Sequence, residues 1–397
     1  MEDIASKFFG NELPTKRRSL DKSFERFGLD HNPFPPNRTI VPEVLYGQTS
    51  SIELFRSLAK DVLMATTPTR RALAIIGNTG GGKTHFLKHC KHEFMVIREQ
   101  FEFRFAFVEF TAGYGKLIDL IREIYRVLDD HFLSNYEADF INTLITQIEE
   151  QAATERFGDF IESDDLKRAL GKLISYSEKN APELDTGFGV FARWVRGETL
   201  TQTERKQLNV FSRIATASAA IKVLTELLQL ARKADLLDGI VISIDEIESL
   251  FTKGLSTGQI QAFLQDLRFL YDEITKQDRG LSSLFLSAST GTGSRQLANY
   301  NYPVFQRLGY GSTVAELQTI GGVVEAIEFA NTYFRHYNEA WKHRIKKTLK
   351  TDLTMLLSHK EIEEAFIQAS ARGQGASQGL LLDRLYRKAE EKKNHTL

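Results

Sequence analysis

The run Gly77-Asn78-Thr79-Gly80-Gly81-Gly82-Lys83-Thr84 has residue types and spacing that can grip a triphosphate. Glycines let a backbone curl until successive N–H groups point inward at phosphate oxygens. A helix beginning where such a loop ends turns its positive dipole end to the same anion. Lys83 can then bridge the β- and γ-phosphates while the Thr84 hydroxyl holds Mg²⁺. The spacing is G-x-x-x-x-G-K-[ST], the Walker A pattern. Average composition produces it by chance in about one chain in a hundred of this length. The expected cofactors are ATP and Mg²⁺, and His85, next along the chain, is counted with the nucleotide contacts.

A second acidic place complements the loop. Asp245-Glu246 closes the apolar run Gly239–Ile244 (GIVISI). An aspartate at the C-terminal end of a parallel strand reaches the crevice where the loop also opens. Asp245 is therefore expected to share Mg²⁺ with Thr84, and Glu246 to polarise a water for attack on the γ-phosphate. Acidic pairs after strands are also common turn residues; the upstream loop is what turns this pair toward catalysis. Glu248 reads as a helix-start charge. His85 and His89 share a helical face beside His92 and Cys90, but their helix must pack directly behind the loop. They read as packed or partly exposed histidines, and no structural zinc is expected.

These residues need strands and helices to hold them. Ala72–Ile76, Phe103–Phe110, Gly239–Ile244, Leu281–Ser287 and, more weakly, Val314–Thr319 read as strands, rich in apolar and branched residues. Ser51–Met64 reads as an amphipathic helix ahead of the first. Strands alternating with helices imply an α/β fold whose parallel sheet is covered on both faces. Between the second and third strands the periodicity is helical: Leu117–Leu128, Ala138–Glu150, Asp164–Ser175 and Ala219–Lys233. This predicts a large helical insertion over about 116–238. Beyond Gly322 everything reads as helix, over Val323–Leu349, Ser358–Ser370 and Gly379–Lys392.

The expected organisation is an N-terminal Pro-rich arm (1–45), a core (46–320) and a C-terminal all-helical domain (321–397). Six of the eight prolines lie before residue 70, and Asn32-Pro33-Phe34-Pro35-Pro36-Asn37 cannot hold a helix. The arm either docks on a neighbouring subunit through Phe24, Phe27 and Phe34 or straps over its own core, the favoured reading. Lys16-Arg17-Arg18 reads as a solvated turn.

Composition sets wider bounds. A chain of 397 residues can bury a large core, and a net charge of −1 gives no global nucleic-acid footprint. DNA contact would have to come from a local patch. The densest basic run is Lys342-His343-Arg344-Ile345-Lys346-Lys347, continuing to Lys350 beside Trp341. It can neutralise phosphates or simply face solvent. The single cysteine, Cys90, excludes an internal disulfide framework and fits a reducing cytosol. No apolar run is long enough to cross a membrane, and the N-terminus lacks a secretory pattern. A cytoplasmic protein without a membrane partner is expected.

With these residues placed, the chain resembles the AAA+ ATPases, on the side of origin-recognition and transposition-type members. The resemblance implies a P-loop core with a five-stranded parallel sheet and a helical lid. It implies that the turn Leu45-Tyr46-Gly47-Gln48 backs the adenine through Tyr46 and Gly47. It also implies a γ-phosphate sensor at the end of the fourth strand, a role for which Ser289 is preferred over Ser287 and Thr290. Hydroxyls capping a turn are the plain alternative there. An arginine finger reaching a neighbour's nucleotide is implied at Arg307, with Arg295 as competitor and a surface salt bridge as the alternative for both. The family's lid arginine is replaced here by Gln378, with Arg372 or Arg384 as substitutes.

A narrower likeness lies in Trp194-Val195-Arg196-Gly197-Glu198, a W-x-x-G-E segment ahead of the strand ending IDE-x-E at Ile244–Glu248. It is similar to the ATP-binding proteins of bacterial phage-exclusion (BREX) systems, although Trp194 can equally be a core residue of the insertion. The resemblance implies self-association through nucleotide sites and further defence-system or DNA-processing proteins as partners. The expected function is a Mg²⁺-dependent ATP hydrolase that loads onto or remodels a DNA-bound complex in anti-phage defence. A slow, nucleotide-gated switch or scaffold is the competing reading; a helicase motor, working only as a ring, is a third.

Overall fold

Ala72, Leu73, Ala74 and Ile75 are all buried. The strand carrying them, β1 (Arg70–Ile76), must therefore be covered on both faces. The computed structural model describes residues 22–36, 39–114, 116–136, 138–152, 161–178, 183–276, 280–345, 352–371 and 374–394. Helix α1 (Thr49–Leu63) precedes β1, and α2 (Lys83–Gln100) and β2 (Phe105–Thr111) follow it. Next come α3 (Leu117–Tyr136), α4 (Phe140–Ala152), α5 (Asp164–Glu178), α6 (Glu183–Val195), α7 (Gln202–Leu208) and α8 (Ala217–Lys233). After β3 (Gly239–Asp245) the chain forms α9 (Ser249–Thr252), α10 (Thr257–Ile274), β4 (Ser282–Ser289), α11 (Gly291–Tyr300), α12 (Tyr302–Arg307) and β5 (Val314–Glu316). The remainder gives α13 (Val323–Ile345), α14 (Leu353–Leu356), α15 (His359–Ala369), β6 (Ser370–Ala371), β7 (Gln374–Ala376) and α16 (Gln378–Asn394).

The expected α/β fold with a five-stranded parallel sheet is present, in the order β2-β3-β4-β1-β5. One strand, β4, separates the loop strand β1 from the acidic strand β3. In register, Ile76 lies beside Ser289 and Ile244 beside Ser287, so these strands end nearly flush. All eight residues of β4 are buried, four serines among them. All four hydroxyls have partners: Ser282 Oγ accepts the Thr69 N–H at 3.2 Å, Ser283 Oγ pairs with Thr275 Oγ1 at 2.7 Å, Ser287 with Leu308 O at 3.3 Å and Ser289 with Thr290 O at 3.1 Å. Bonded hydroxyls of this kind make polar burial tolerable.

The insertion is helical, as its periodicity predicts, and includes two further helices, α6 and α7, beyond the four expected. It is not a separate lobe. Ile121 and Phe132 of α3, Trp194 of α6 and Leu224 and Leu228 of α8 share one apolar core with Ala106 and Val108 of β2.

The chain divides into two compact units, one of Gln48–Thr79 with Lys83–Leu317, the other of 1–47, Gly80–Gly82 and Gln318–Leu397. In the second unit Phe24, Phe27, Leu29 and Phe34 are buried with Phe329, Phe334 and Leu381. Asn32 Nδ2 donates to Glu390 Oε1 at 2.9 Å, and Asn338 Nδ2 donates to Gly28 O at 2.8 Å. The described part of the arm is thus a strap. Its phenylalanines are consumed by its own core, which corrects the alternative of docking on a neighbour. The C-terminal segment is not wholly helical, because β6 and β7 form a short antiparallel ribbon. Lys16-Arg17-Arg18, Lys346, Lys347, Lys350 and Arg372 lie outside the described residues. Among the described residues no helix is long and apolar enough to cross a membrane.

One internal contact makes the core sensitive to acid. His131 Nδ1 on α3 lies 3.2 Å from Asn135 Nδ2 and 3.4 Å from Arg98 Nη1 on α2. Burial, and then the Arg98 charge, push its pKa down from 6.5 to about 4. Between those values the unfolded chain binds a proton that the folded chain refuses, so stability falls as pH drops through that window. Below about 4 the loss is complete. In urea titrations the non-titrating variant His131→Gln should be spared about 2–3 kcal/mol of the wild-type decline between neutrality and pH 4. Parallel declines in the two proteins would exclude this account.

Candidate nucleotide-binding site

The loop begins where β1 ends, with the Gly77 N–H held by Ser289 O at 3.3 Å. Gly80 and Gly82 have φ of +72° and +86°, the left-handed region where a side chain is strained. Asn78, Thr79 and Gly80 are exposed, and α2 opens on Lys83 itself. The dipole and unpaired amides of that first turn therefore lie at the loop's end.

Lys83 is only 9% exposed, yet its ammonium is well supplied with acceptors. Nζ donates to Gly77 O at 3.2 Å and Asn78 O at 3.3 Å, and lies 3.6 Å from Glu248 Oε1. Beside it Thr84 Oγ1 donates to Asp245 Oδ2 at 2.6 Å. The Walker A loop and the acidic strand end, 161 residues apart, are in direct contact. A hydroxyl and a carboxylate are hard oxygen donors of the kind Mg²⁺ takes, so this pair fits the ion.

Glu246 is exposed, and its backbone is left-handed at φ +54°. For a non-glycine residue that costs about 1–2 kcal/mol, and such strain clusters at functional sites. Its N–H is held by Asp245 Oδ1 at 2.8 Å. Glu248 is more than the helix-start charge its position suggests. It stands at the N-cap of α9 but makes no side-chain cap. Instead Oε1 faces Lys83, and Oε2 accepts the Thr290 N–H at 3.3 Å. A Cβ at Gly293 would lie 2.6 Å from Glu248 Cβ, so α11 needs glycine there to approach.

The sensor candidates all have partners within the fold. Thr290 Oγ1 caps α11 by accepting the Gly293 N–H at 3.0 Å. Ser289 is fully buried, and a side chain at Gly293 would sit 2.5 Å from its Oγ. Arg307 Nε donates to Asp272 Oδ1 at 2.8 Å, a hydrogen bond that raises its pKa above the ordinary value. Arg70 and Arg268 approach the same carboxylate at 3.7 and 3.8 Å. Arg295 is exposed and donates to Gly291 O in its own helix at 3.2 Å.

The histidine cluster behaves as a packed face. His85 is half-buried, His89 Nε2 lies 3.3 Å from Glu93 Oε1, and burial raises the Cys90 thiol well above its usual pKa. Tyr46 and Gly47 belong to the second unit. The Tyr46 hydroxyl bonds Glu328 Oε2 at 3.0 Å, and burial followed by this bond lifts its pKa to about 12. Gly47 has φ +66°, and the Tyr46 carbonyl accepts Gln378 Nε2 at 3.2 Å. Trp194 is buried, with Nε1 on Ser212 O at 3.1 Å. Gly197, at φ +74°, ends α6 through bonds from Gly197 N to Trp194 O (2.9 Å) and Glu198 N to Arg193 O (3.0 Å). The W-x-x-G-E segment is therefore a core residue followed by a helix stop.

No family model and no curated protein matches the chain. Among solved structures it is similar to the Aeropyrum pernix ORC2 protein, determined as ADPNP–ADP complexes (TM-score 0.44, 12% identity, covering 91% of this chain and 72% of that one). It is also similar to the A. pernix ORC1 protein in complex with DNA (TM-score 0.43, 14% identity, 90% of this chain and 63% of that one). A third is a Walker-type ATPase of Pyrococcus abyssi (TM-score 0.35, 11% identity, 91% and 74%).

Proposed function

We propose that the chain is a Mg²⁺-dependent ATPase of the AAA+ type that assembles through its nucleotide sites and works on a DNA-bound complex. The observation carrying this reading is the 2.6 Å contact between Thr84 of the loop and Asp245 of the acidic strand, with the Lys83 ammonium beside it. The loop amides from Gly77 to Gly82 hold phosphate oxygens, and Lys83 adds a positive charge at the β- and γ-phosphates. Thr84 and Asp245 would hold Mg²⁺, which supplies neutralisation of phosphate charge when bound. Glu246 accepts the proton of the attacking water. Glu248 holds the Lys83 ammonium and the Thr290 amide together, fixing the end of β4 against the loop. Anti-phage defence as the setting rests on the phage-exclusion resemblance alone.

A second reading, a switch with slow hydrolysis, is favoured by two features. The sensor hydroxyls already have partners, and Gln378 stands where the family carries an arginine. Turnover on the order of one per minute, indifferent to DNA, would select that reading.

Glu246→Gln should keep ATP binding, measured by equilibrium titration, while turnover falls by about 10²–10⁴. Turnover that survives this change and disappears in Glu248→Gln would transfer the base role to Glu248. The proposed finger requires Arg307 to leave Asp272 for a neighbour's nucleotide. Arg307→Ala should then lose at least about a hundredfold in turnover with an unchanged melting temperature. Asp272→Asn should remain active; parallel loss of melting temperature and activity in both would make the pair a structural clamp.

A further inference from the structure

The helical insertion carries a cavity of about 310 Å³ lined by Gln202, Arg205, Lys206, Asn209, Val210 and Phe211, with no acidic residue in its wall. Two features set it apart. Of the described arginines in the insertion, Arg122, Arg126, Arg168, Arg193 and Arg196 each reach a carboxylate and Arg232 donates to Gly280 O, which leaves Arg205 and Arg213. Arg205 forms no ion pair among the described residues, and its Nε is buried without a hydrogen-bond partner. Phe211 is 72% exposed, an unusual position for a ring this large.

The ring is nevertheless held in place. Asp165 accepts the Phe211 N–H at 3.0 Å and the Ser212 N–H at 3.1 Å, and pairs with Arg168 at 2.6 Å. The Arg168 guanidinium lies 4.7 Å over the ring. One face of Phe211 is thus backed by a cation and the other is open beside two cations without counter-charges. An exposed aromatic pinned by its backbone and backed by guanidinium is a stacking platform, and Arg205 and Lys206 supply charge for an anion.

We propose that this cavity binds single-stranded nucleic acid, with a base stacked on Phe211 and backbone phosphate held by Arg205 and Lys206. The Gln202 and Asn209 amides offer donors and acceptors to a base edge. An open ring face needs an unpaired base, which a duplex does not present. The inference supplies a nucleic-acid contact for the function proposed above but does not depend on hydrolysis.

The test is fluorescence anisotropy of the full chain with labelled oligothymidylate of about 16 nucleotides, at salt from about 50 to 200 mM. The wild type should bind. Phe211→Ala should weaken binding roughly tenfold, and Phe211→Trp should keep it. Arg205→Gln with Lys206→Gln should reduce the slope of log affinity against log salt by about 1.4, roughly 0.7 for each lost phosphate contact. Lys83→Ala should leave strand binding unchanged, and Phe211→Ala should leave basal ATP turnover unchanged, so failure of this site and failure of the nucleotide site read out separately. Equal binding by Phe211→Ala, or no wild-type binding at the lowest salt, would overturn the proposal. So would equal competition by a duplex of the same length. Displacement by thymidine monophosphate at strand-like concentrations would also overturn it, assigning the cavity to a free nucleotide instead.

Discussion

The hydrogen bond from Thr84 to Asp245 exists only because one strand, and no more, lies between β1 and β3. Neighbouring strands sit about 4.8 Å apart, so the two ends are separated by roughly 10 Å, a gap that the loop and the first residues of α2 must close. The register does the rest. Ile76 stands beside Ser289 and Ile244 beside Ser287, and the Ile247 N–H is tied to Ala288 O at 3.2 Å. A one-residue slip of β4 would turn Ser283, Ser287 and Ser289 to the opposite face and break this alignment. The small side chains at the end of β4, Ser287, Ala288 and Ser289, make the spacing tolerable. Tyr310 packs with its hydroxyl 3.5 Å from Ser287 O, and Gly309, at φ +90°, brings its backbone against Ala72 O. Bulkier residues on β4 would push these layers out.

Features written locally in the chain were legible in it. The loop Gly77–Thr84 is eight consecutive residues, and both its glycine requirement and its flanking strand and helix can be read without tertiary knowledge. The Asp245 placement was legible for a related reason: a strand's end fixes which edge of the sheet it serves. Glu248 was not, because its partners Lys83 and Thr290 are distant in sequence and its position at a helix start offered a sufficient local explanation. Helix α10 was legible and missed. Ser256 and Gln259 form a reciprocal capping box, a signal carried by sequence alone. Helix α6 is harder, since Gly187 and Gly189 weaken its helical preference and packing of Phe191 and Trp194 must compensate. The ribbon of β6 and β7 is too short to show any period.

The shared core of the insertion and the sheet changes what the insertion can be. Helix α3 packs on β2, the edge strand, and α8 packs on α3, so removing the insertion would strip the edge of the sheet. The insertion is part of the same folding core as the sheet. The same reasoning accounts for Trp194. A buried indole with its N–H on Ser212 O, followed by a helix stop at Gly197, is a demand of packing.

The acidic pair shows how adjacent carboxylates can be given different work. Asp245 ends the strand and turns one oxygen to Thr84 and the other to the Glu246 amide. That second bond, together with the Ile247 amide on Ala288 O, grips the chain on both sides of Glu246. The grip can hold Glu246 left-handed against a cost of about 1–2 kcal/mol. Glycine at 246 would relieve the strain and remove the carboxylate together. The two neighbouring carboxylates are thus held differently, Asp245 engaged through both oxygens and Glu246 exposed.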